Sequence, residues 1–359
     1  MTASLLVLEG DGIGPEISQA TVAALQTVDR LFALDLRFEY ADIGLKALAK
    51  TGTTFPETVL SLARAADGVV LGPVSHNVYP PVSQGGVNPS GALRKQLDLY
   101  ANIRPARTRG GFSANSSKPV DLVVVRENTE GFYADRNMFM GNGEFMPTPD
   151  LALSVRKVTR QASLRIAETA FELAMKRRRQ VAVVHKANVL RISDGLFLEC
   201  TREVAQRYPQ VECQEFLVDA MAALLVRDPS RFDVIVTTNM FGDILSDEAA
   251  ELSGSLGLAA SLNAGTDHGV AQAQHGSAPD IAGLGLANPA SLLGSAAMLL
   301  DWLSRKGHGA AFERAGACIE QALDATIASP QGRTRDMGGT LSTQAFTQQV
   351  CAQMENLAT

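Results

Sequence analysis

The chain has 359 residues, 46% hydrophobic and 19% charged, with a formal net charge of −6. That composition is globular, long enough for two domains, and excludes bulk disorder. The acidic balance speaks against a nucleic-acid partner, which requires clustered Lys and Arg.

Short apolar runs alternate with amphipathic helical stretches along the chain. Strands are expected over residues 5–8, 68–71, 122–125, 181–184 and 234–237. Helices are expected over 16–27, 58–65, 160–176, 194–207, 243–252 and 289–304. This alternation predicts an α/β architecture with much of the sheet parallel and covered by helices. Gly and Pro cluster around 72–91, 105–119, 137–149 and 265–289, and the first and last of these read as functional loops. No internal repeat or floppy linker is visible. A domain built from both ends of the chain, with a second inserted in the middle, fits that absence. The basic run at 176–179 ends a helical pattern and reads as a solvated helix terminus. Cys200, Cys213, Cys318 and Cys351 form no C-x-x-C pair, as expected of reduced thiols in a cytosolic protein without a zinc site. The first strand follows no basic leader, and no apolar run reaches the ~18 residues of a membrane span, so a soluble, cytoplasmic protein is expected.

Candidate chemistry follows the same order. Gly10-Asp-Gly-Ile-Gly-Pro15 is a strand–turn–helix entry with the wrong spacing for G-x-G-x-x-G, and Pro15 suits a helix start. Arg94, Arg104 and Arg126 are planar cations suited to carboxylates, and Arg126 ends an apolar strand, where α/β proteins bind ligands. Each alone is more readily read as a structural ion pair. Tyr133 could donate a proton or simply pack. Lys186, at the end of another apolar run, suits a base or a surface position. Asp243 and Asp247 share a helix face and repel unless a cation offsets them, and they equally fit an N-terminal turn whose acids suit the helix dipole. Asp219 adds a third carboxylate in an apolar context, where an unpaired acid is expensive. Three hard oxygen donors point to Mg²⁺ or Mn²⁺ rather than zinc. The loop from His275 through Asp280 to Asn288 suits a nucleotide's ribose and adenine, or a surface turn.

Together these stretches resemble the metal-dependent β-decarboxylating dehydrogenases, which include isocitrate, homoisocitrate, 3-isopropylmalate and tartrate dehydrogenases. The matching segments are GDGIGPE at 10–16, LRKQLDLYANIRP at 93–105, VRENTEGFY at 125–133, HKANVL at 185–190, FDVIVTTNMFGDILSD at 232–247, and HGSAPDIAG with ANP at 275–289. The resemblance implies a two-domain isopropylmalate dehydrogenase-like α/β fold, with a large mixed sheet flanked by helices rather than a Rossmann domain. One domain would comprise 1–99 and 251–359, the other the inserted 100–250. It implies a homodimer with shared active sites, acting on a small hydroxy acid, with NAD and Mg²⁺ or Mn²⁺. Arg94, Arg104 and Arg126 would bind the malate-like carboxylates, with Asn188 near substrate and nicotinamide. Asp243, Asp247 and the other subunit's Asp219 would bind the metal. Lys186, also from the other subunit, would be the base at the C2 hydroxyl, and Tyr133 would protonate C3. Ile13, His275, Gly276, Ser277, Ala278, Asp280, Ile281 and Asn288 would line the cofactor pocket. Asp280 suits a ribose diol and would repel a 2′-phosphate, which favours NAD over NADP.

The side-chain pocket is expected just before Arg94, at Asn88 and Ser90. These polar groups would go unpaired beside an isopropyl group, so isocitrate or homoisocitrate is expected ahead of tartrate or D-malate, and 3-isopropylmalate is disfavoured. Gln272 departs from the glutamate usual in such relatives three residues before the loop histidine. Two other classes fit less of the chain. A non-catalytic regulatory subunit would have lost groups kept here, and a metal-dependent hydrolase or aldolase-like enzyme leaves the 275–289 loop unexplained.

Overall fold

The computed structural model describes residues 2–133, 138, 140–141 and 143–358. Of the Gly- and Pro-rich stretch at 137–149, Asn137, Phe139 and Asn142 lie outside the described residues. The chain divides into two compact units, one of residues 1–97, 109–113 and 255–359, the other of 98–108 and 114–254.

In chain order, the first unit opens with β1 (Ala3–Leu8), α1 (Gly14–Phe32), β2 (Leu36–Tyr40), α2 (Gly44–Thr51), α3 (Glu57–Ala65), β3 (Gly68–Leu71) and α4 (Pro89–Gln96). The second contains β4 (Ala101–Arg107), β5 (Asp121–Glu127), β6 (Glu144–Thr148), β7 (Leu151–Ser154), α5 (Arg160–Met175), β8 (Gln180–His185) and α6 (Ser193–Ala205). It continues through β9 (Glu212–Leu217), α7 (Val218–Arg227), β10 (Val234–Thr237) and α8 (Asn239–Ser253). The chain then returns to the first unit with β11 (Leu262–Ala264), β12 (Gly269–Gln272), α9 (Ala290–Leu303), α10 (Ala310–Ala328) and α11 (Thr343–Ala358).

The first unit's strands run β2-β1-β3-β12-β11, parallel except for the antiparallel β11–β12 pair. β1 and β3 are almost wholly apolar because helices cover both faces. α1 starts with Pro15 in its first turn, where the missing N–H costs no helical bond, and buries Ile17, Thr21, Ala24, Leu25 and Val28 at helical spacing. α9 is apolar almost all round and forms the centre of this core with α10 and α11.

The second unit's strands run β4-β5-β10-β8-β9, parallel except for β4. Parallel pairing places Thr237 of β10 beside Arg126 of β5 and Val184 of β8, and His185 beside Leu217 of β9. Antiparallel β4 brings Arg104 opposite Val124 and Asn102 opposite Arg126. The strand ends that precede Lys186, Asp219 and Asn239 therefore lie at one edge of the sheet. Behind it, α5 and α6 bury Ile166, Phe171, Phe197 and Val204 against Val125, Val183 and Val236.

The basic run is not simply solvated. Arg177 Nε donates to buried Asp233 Oδ1 (2.7 Å) and its Nη2 to Asp121 Oδ1 (2.8 Å), pinning the turn between α5 and β8. Among the described residues no helix is long and apolar enough to cross a membrane, and the four cysteines are free. Phe171 is fully buried at the heart of the second unit. Phe171→Ala is expected to destabilise that unit by about 3–5 kcal/mol, read as a lower melting temperature in calorimetry.

Candidate active site

The second unit gathers cations and acids where its strands end. Arg126 is 1% exposed and Arg104 6% exposed. Gly242 makes the packing possible: a Cβ there would lie 2.7 Å from Arg126 Cβ and Cγ, so glycine lets α8 sit directly on the arginine. Arg126 Nε and Nη2 donate to Asn239 Oδ1 at 3.0 and 2.7 Å, Nη2 also donates to Tyr133 Oη at 2.9 Å, and Nη1 pairs with Asp243 Oδ1. Arg104 Nη1 reaches Asp243 Oδ1 (3.0 Å), Ser246 Oγ (2.8 Å) and Asp247 Oδ1 (3.3 Å). Tyr133 Oη donates to Asp243 Oδ2 at 2.6 Å. Burial and the neighbouring Arg126 push the Arg104 guanidinium down to about 10, against the pull of Asp243 and Asp247.

The turn after β5 is built to aim Tyr133. Glu127 accepts from Thr129 N (2.8 Å), Thr129 Oγ1 (2.6 Å) and Glu130 N (2.8 Å), while burial holds its carboxyl above the ordinary value. Asn128 Nδ2 donates to Leu99 O (2.9 Å), and Glu130 accepts from Thr159 N and Oγ1.

Lys186 directly follows β8 and pairs with Asp219 in the first turn of α7. Asp219 is not in the apolar setting its neighbours suggested. It stands exposed because it lies past the end of β9, and Lys186 holds its carboxyl below the usual range. Asn188 is exposed in the turn that follows. Among the described residues no three His, Cys, Asp or Glu side chains of the chain are grouped so as to hold a metal ion.

In the first unit, Asn88 Oδ1 caps α4 by accepting from Gly91 N (3.2 Å). Ser90 Oγ and Arg94 Nη2 donate to Gln272 Oε1 at 3.1 and 3.4 Å, and Asn263 Nδ2 joins them at 3.1 Å. An arginine only donates, so the Gln272 atom facing it must be the carbonyl oxygen. Asp11 accepts from Leu45 N (2.8 Å), Ser75 N (2.9 Å) and Tyr79 Oη, so the acid of the glycine motif is a buried tie between loops.

The 275–288 loop is fixed to that motif. Ile13 N donates to Ser277 O (2.9 Å), and a Cβ on Gly12, at φ +57°, would lie 2.0 Å from the same oxygen. Gly276 is exposed and Ala278 is left-handed at φ 36°. Asp280 is exposed and Ile281 half-buried on a short 3₁₀ turn. Asn288 Nδ2 donates to Asp336 Oδ2 (2.9 Å) while its Oδ1 accepts from Ala290 N (3.0 Å). Burial holds the His275 imidazole below its ordinary value.

The sequence reading missed Asn239, Ser246 and Asp336. Asn239 and Ser246 lie in the segment 232–247 that carries the acids, and their spacing from Asp243 on α8 was the available signal.

Two buried guanidinium groups paired with acids on one sheet edge give this α/β protein a dense cluster of opposite charges. The family model described as isocitrate/isopropylmalate dehydrogenase matches residues 4–351. The isocitrate/homoisocitrate dehydrogenase of Thermus thermophilus is 40% identical over 99% of this chain and 100% of its own. The 3-isopropylmalate dehydrogenase of Archaeoglobus fulgidus is 39% identical over 98% of this chain and 99% of its own. A crystal structure of isocitrate dehydrogenase from Methylococcus capsulatus superposes with a TM-score of 0.86 at 38% identity, covering 98% of this chain and 99% of that one. The chain belongs to the isocitrate/isopropylmalate dehydrogenase family of oxidative decarboxylating dehydrogenases.

Asp243 is shared by Arg104, Arg126 and Tyr133. Asp243→Asn leaves two buried cations short of a counter-charge. Because the acid is 37% exposed, the expected loss is discounted to about 1–3 kcal/mol, read as a lower melting temperature in the presence of a chelator.

Proposed function

We propose that this protein is an NAD-dependent dehydrogenase that oxidises and decarboxylates a (2R,3S)-malate-type acid with a polar 3-substituent, isocitrate or homoisocitrate. The observation that carries the reading is the convergence of Arg104, Arg126, Tyr133, Asp243 and Asp247 on one sheet edge. Relatives are named for isocitrate, homoisocitrate and 3-isopropylmalate, so similarity alone leaves the acid open. Ser90 Oγ and Asn88 Oδ1 are already paired within the protein, so the expectation that they would go unpaired beside an isopropyl group is not met, and the polar substituent rests on the sequence resemblance.

Asp243 and Asp247 suit Mg²⁺ or Mn²⁺. Both offer hard oxygens from one helix face, and a cationic guanidinium already spans them. Asp219, exposed beside Lys186, is the third donor in this reading, supplied to the site of the partner subunit. Bound NAD supplies a hydride acceptor and the divalent ion Lewis acidity. Arg94, Arg104 and Arg126 take the substrate's carboxylates, and Asn188 flanks them. Lys186 removes the proton from the C2 hydroxyl, and Tyr133 delivers one to C3 after carbon dioxide leaves. Tyr133 Oη suits that task because it lies between a guanidinium donor and a carboxylate acceptor. Ile13, His275, Gly276, Ser277, Ala278, Ile281 and Asn288 hold the dinucleotide, and Asp280 selects the unphosphorylated ribose.

A homodimer with shared sites is part of the proposal. The β6–β7 hairpin is exposed along its whole length, with Phe145, Met146, Leu151 and Leu153 all open. An isolated two-stranded hairpin with apolar side chains in water is marginal, and a second copy covering it resolves the problem. Ile192, Val226 and Ile244 are further exposed apolar groups in the same unit.

A panel of isocitrate, homoisocitrate, tartrate, D-malate and 3-isopropylmalate with Mn²⁺ is expected to give the highest kcat/KM for one of the first two, with NAD above NADP. Clear preference for 3-isopropylmalate or for NADP overturns the corresponding half of the reading. Lys186→Met is expected to lower kcat by about 10²–10⁴-fold. Lys186→Met and Arg126→Met homodimers are each expected to be nearly inactive. Mixing them after dissociation should restore activity, because one site of the hybrid has both residues intact; no recovery argues against shared sites.

A further inference from the structure

Arg156 and Asp194 have no part in the chemistry above, yet the Asp194 side chain is fully buried and that of Arg156 nearly so. The Arg156 side chain is 8% exposed and that of Asp194 0%, and the two form an ion pair. A buried ion pair is a poor source of stability, because desolvation cancels much of its attraction. Its presence asks what else the two groups hold.

Each contact leads to a segment that carries a residue of the proposed reaction. Asp194 Oδ2 accepts the backbone N–H of Lys186 at 2.6 Å. Arg156 Nη1 also donates to Ser193 Oγ at 3.0 Å, beside Asp194 at the start of α6. Arg156 Nη2 donates to Thr238 Oγ1 at 2.9 Å, and Thr238 is the residue from which α8, with Asp243 and Asp247, springs. The guanidinium lies 5.7 Å from the ring centre of Phe132, next to Tyr133 in the chain, and 5.4 Å from that of Phe241, two residues before Asp243. Its planar shape lets one side chain hydrogen-bond at its edge and stack on its faces, which a lysine cannot do.

We infer that the Arg156–Asp194 pair is a positioning device for Lys186, tying its backbone to the Phe132 turn and to the start of the acidic helix of its own chain, while in the shared-site dimer Lys186 itself serves the partner's site. The inference rests on the functional reading that makes Lys186 and Tyr133 the proton-transfer groups. Neither Arg156 nor Asp194 touches the reacting atoms. Both act through the segments they tie, as groups behind a functional side chain generally do.

The test uses the full chain with Asp194→Asn, Asp194→Ala, Arg156→Lys and Arg156→Met. Asp194→Asn and Arg156→Met are expected to lower kcat by about 10–100-fold while KM for NAD changes little, with Arg156→Lys only partly rescuing the loss. In a Lys186→Gln background, adding Asp194→Asn should cost about twofold or less, because the residue it positions is already gone. An equal loss in both backgrounds, or a folded Asp194→Asn within about twofold of wild-type kcat, overturns the inference. Hydrogen exchange gives a readout independent of turnover. Asp194→Ala should lose amide protection over residues 185–190 while α5 keeps its own. Unchanged protection at 185–190, or a loss spread equally through α5, counts against the device. If a variant fails to fold, Arg156→Lys, which keeps the charge, decides by the same measurements. If the wild-type chain oxidises none of the acids, the functional reading fails, while the exchange data still judge the anchoring.

Discussion

The second unit is organised around one carboxylate. Asp243 receives Arg104 from β4, Arg126 from β5 and the Tyr133 hydroxyl from the turn beyond. Two buried cations so close together would repel and resist desolvation without it. The acid can serve both because antiparallel β4 and parallel β10 bracket β5, so that their ends and the start of α8 coincide. Sheet register, more than any loop, sets the spacing of the charged groups. A register slip of one residue would turn each side chain to the opposite face and dissolve the cluster.

On the function proposed above, the cluster can exchange its internal pairs for a small polyanion and a cation. In the structure the arginines pair with the protein's own acids, which are partly exposed, and the acids are bridged by an arginine. A carboxylate ligand for the arginines and a cation for the acids would relieve both sets at once. The exchange replaces one set of opposite-charge contacts with another, so neither component has to be desolvated without compensation.

Much of this was legible before any coordinates. Strands at 68–71 and 234–237 were bounded to the residue, because a fully buried parallel strand is a bare apolar run flanked by polar turns. The helix pattern at 160–176 likewise ended within a residue of α5. What escaped was amphipathic or short. β9 is mostly exposed and reads Glu-Cys-Gln-Glu, β4 contains a proline and two arginines, and β11 has three residues. α10 and α11 were missed although long, α10 because its apolar residues are largely alanine and α11 because polar residues, chiefly glutamine and threonine, dilute its apolar stripe. Among site residues the charged groups stood out by type. Asn239 and Ser246 did not, and neither did the charged pair Arg156 and Asp194, because groups that orient another side chain carry no signature until the fold brings them to it. Asp219 was placed in the wrong environment because its apolar neighbours pack through α7 while it faces out.

Gly242 carries a further consequence. With no room for even a methyl group between α8 and Arg126, the seating of that helix on the guanidinium is a backbone-to-side-chain fit that tolerates almost no drift. On the function proposed above, a change in the preferred acid would have to be absorbed away from that contact, and the short helix from Pro89 to Gln96, capped by Asn88 and leaning on a neutral glutamine, is the segment that the proposal offers for it.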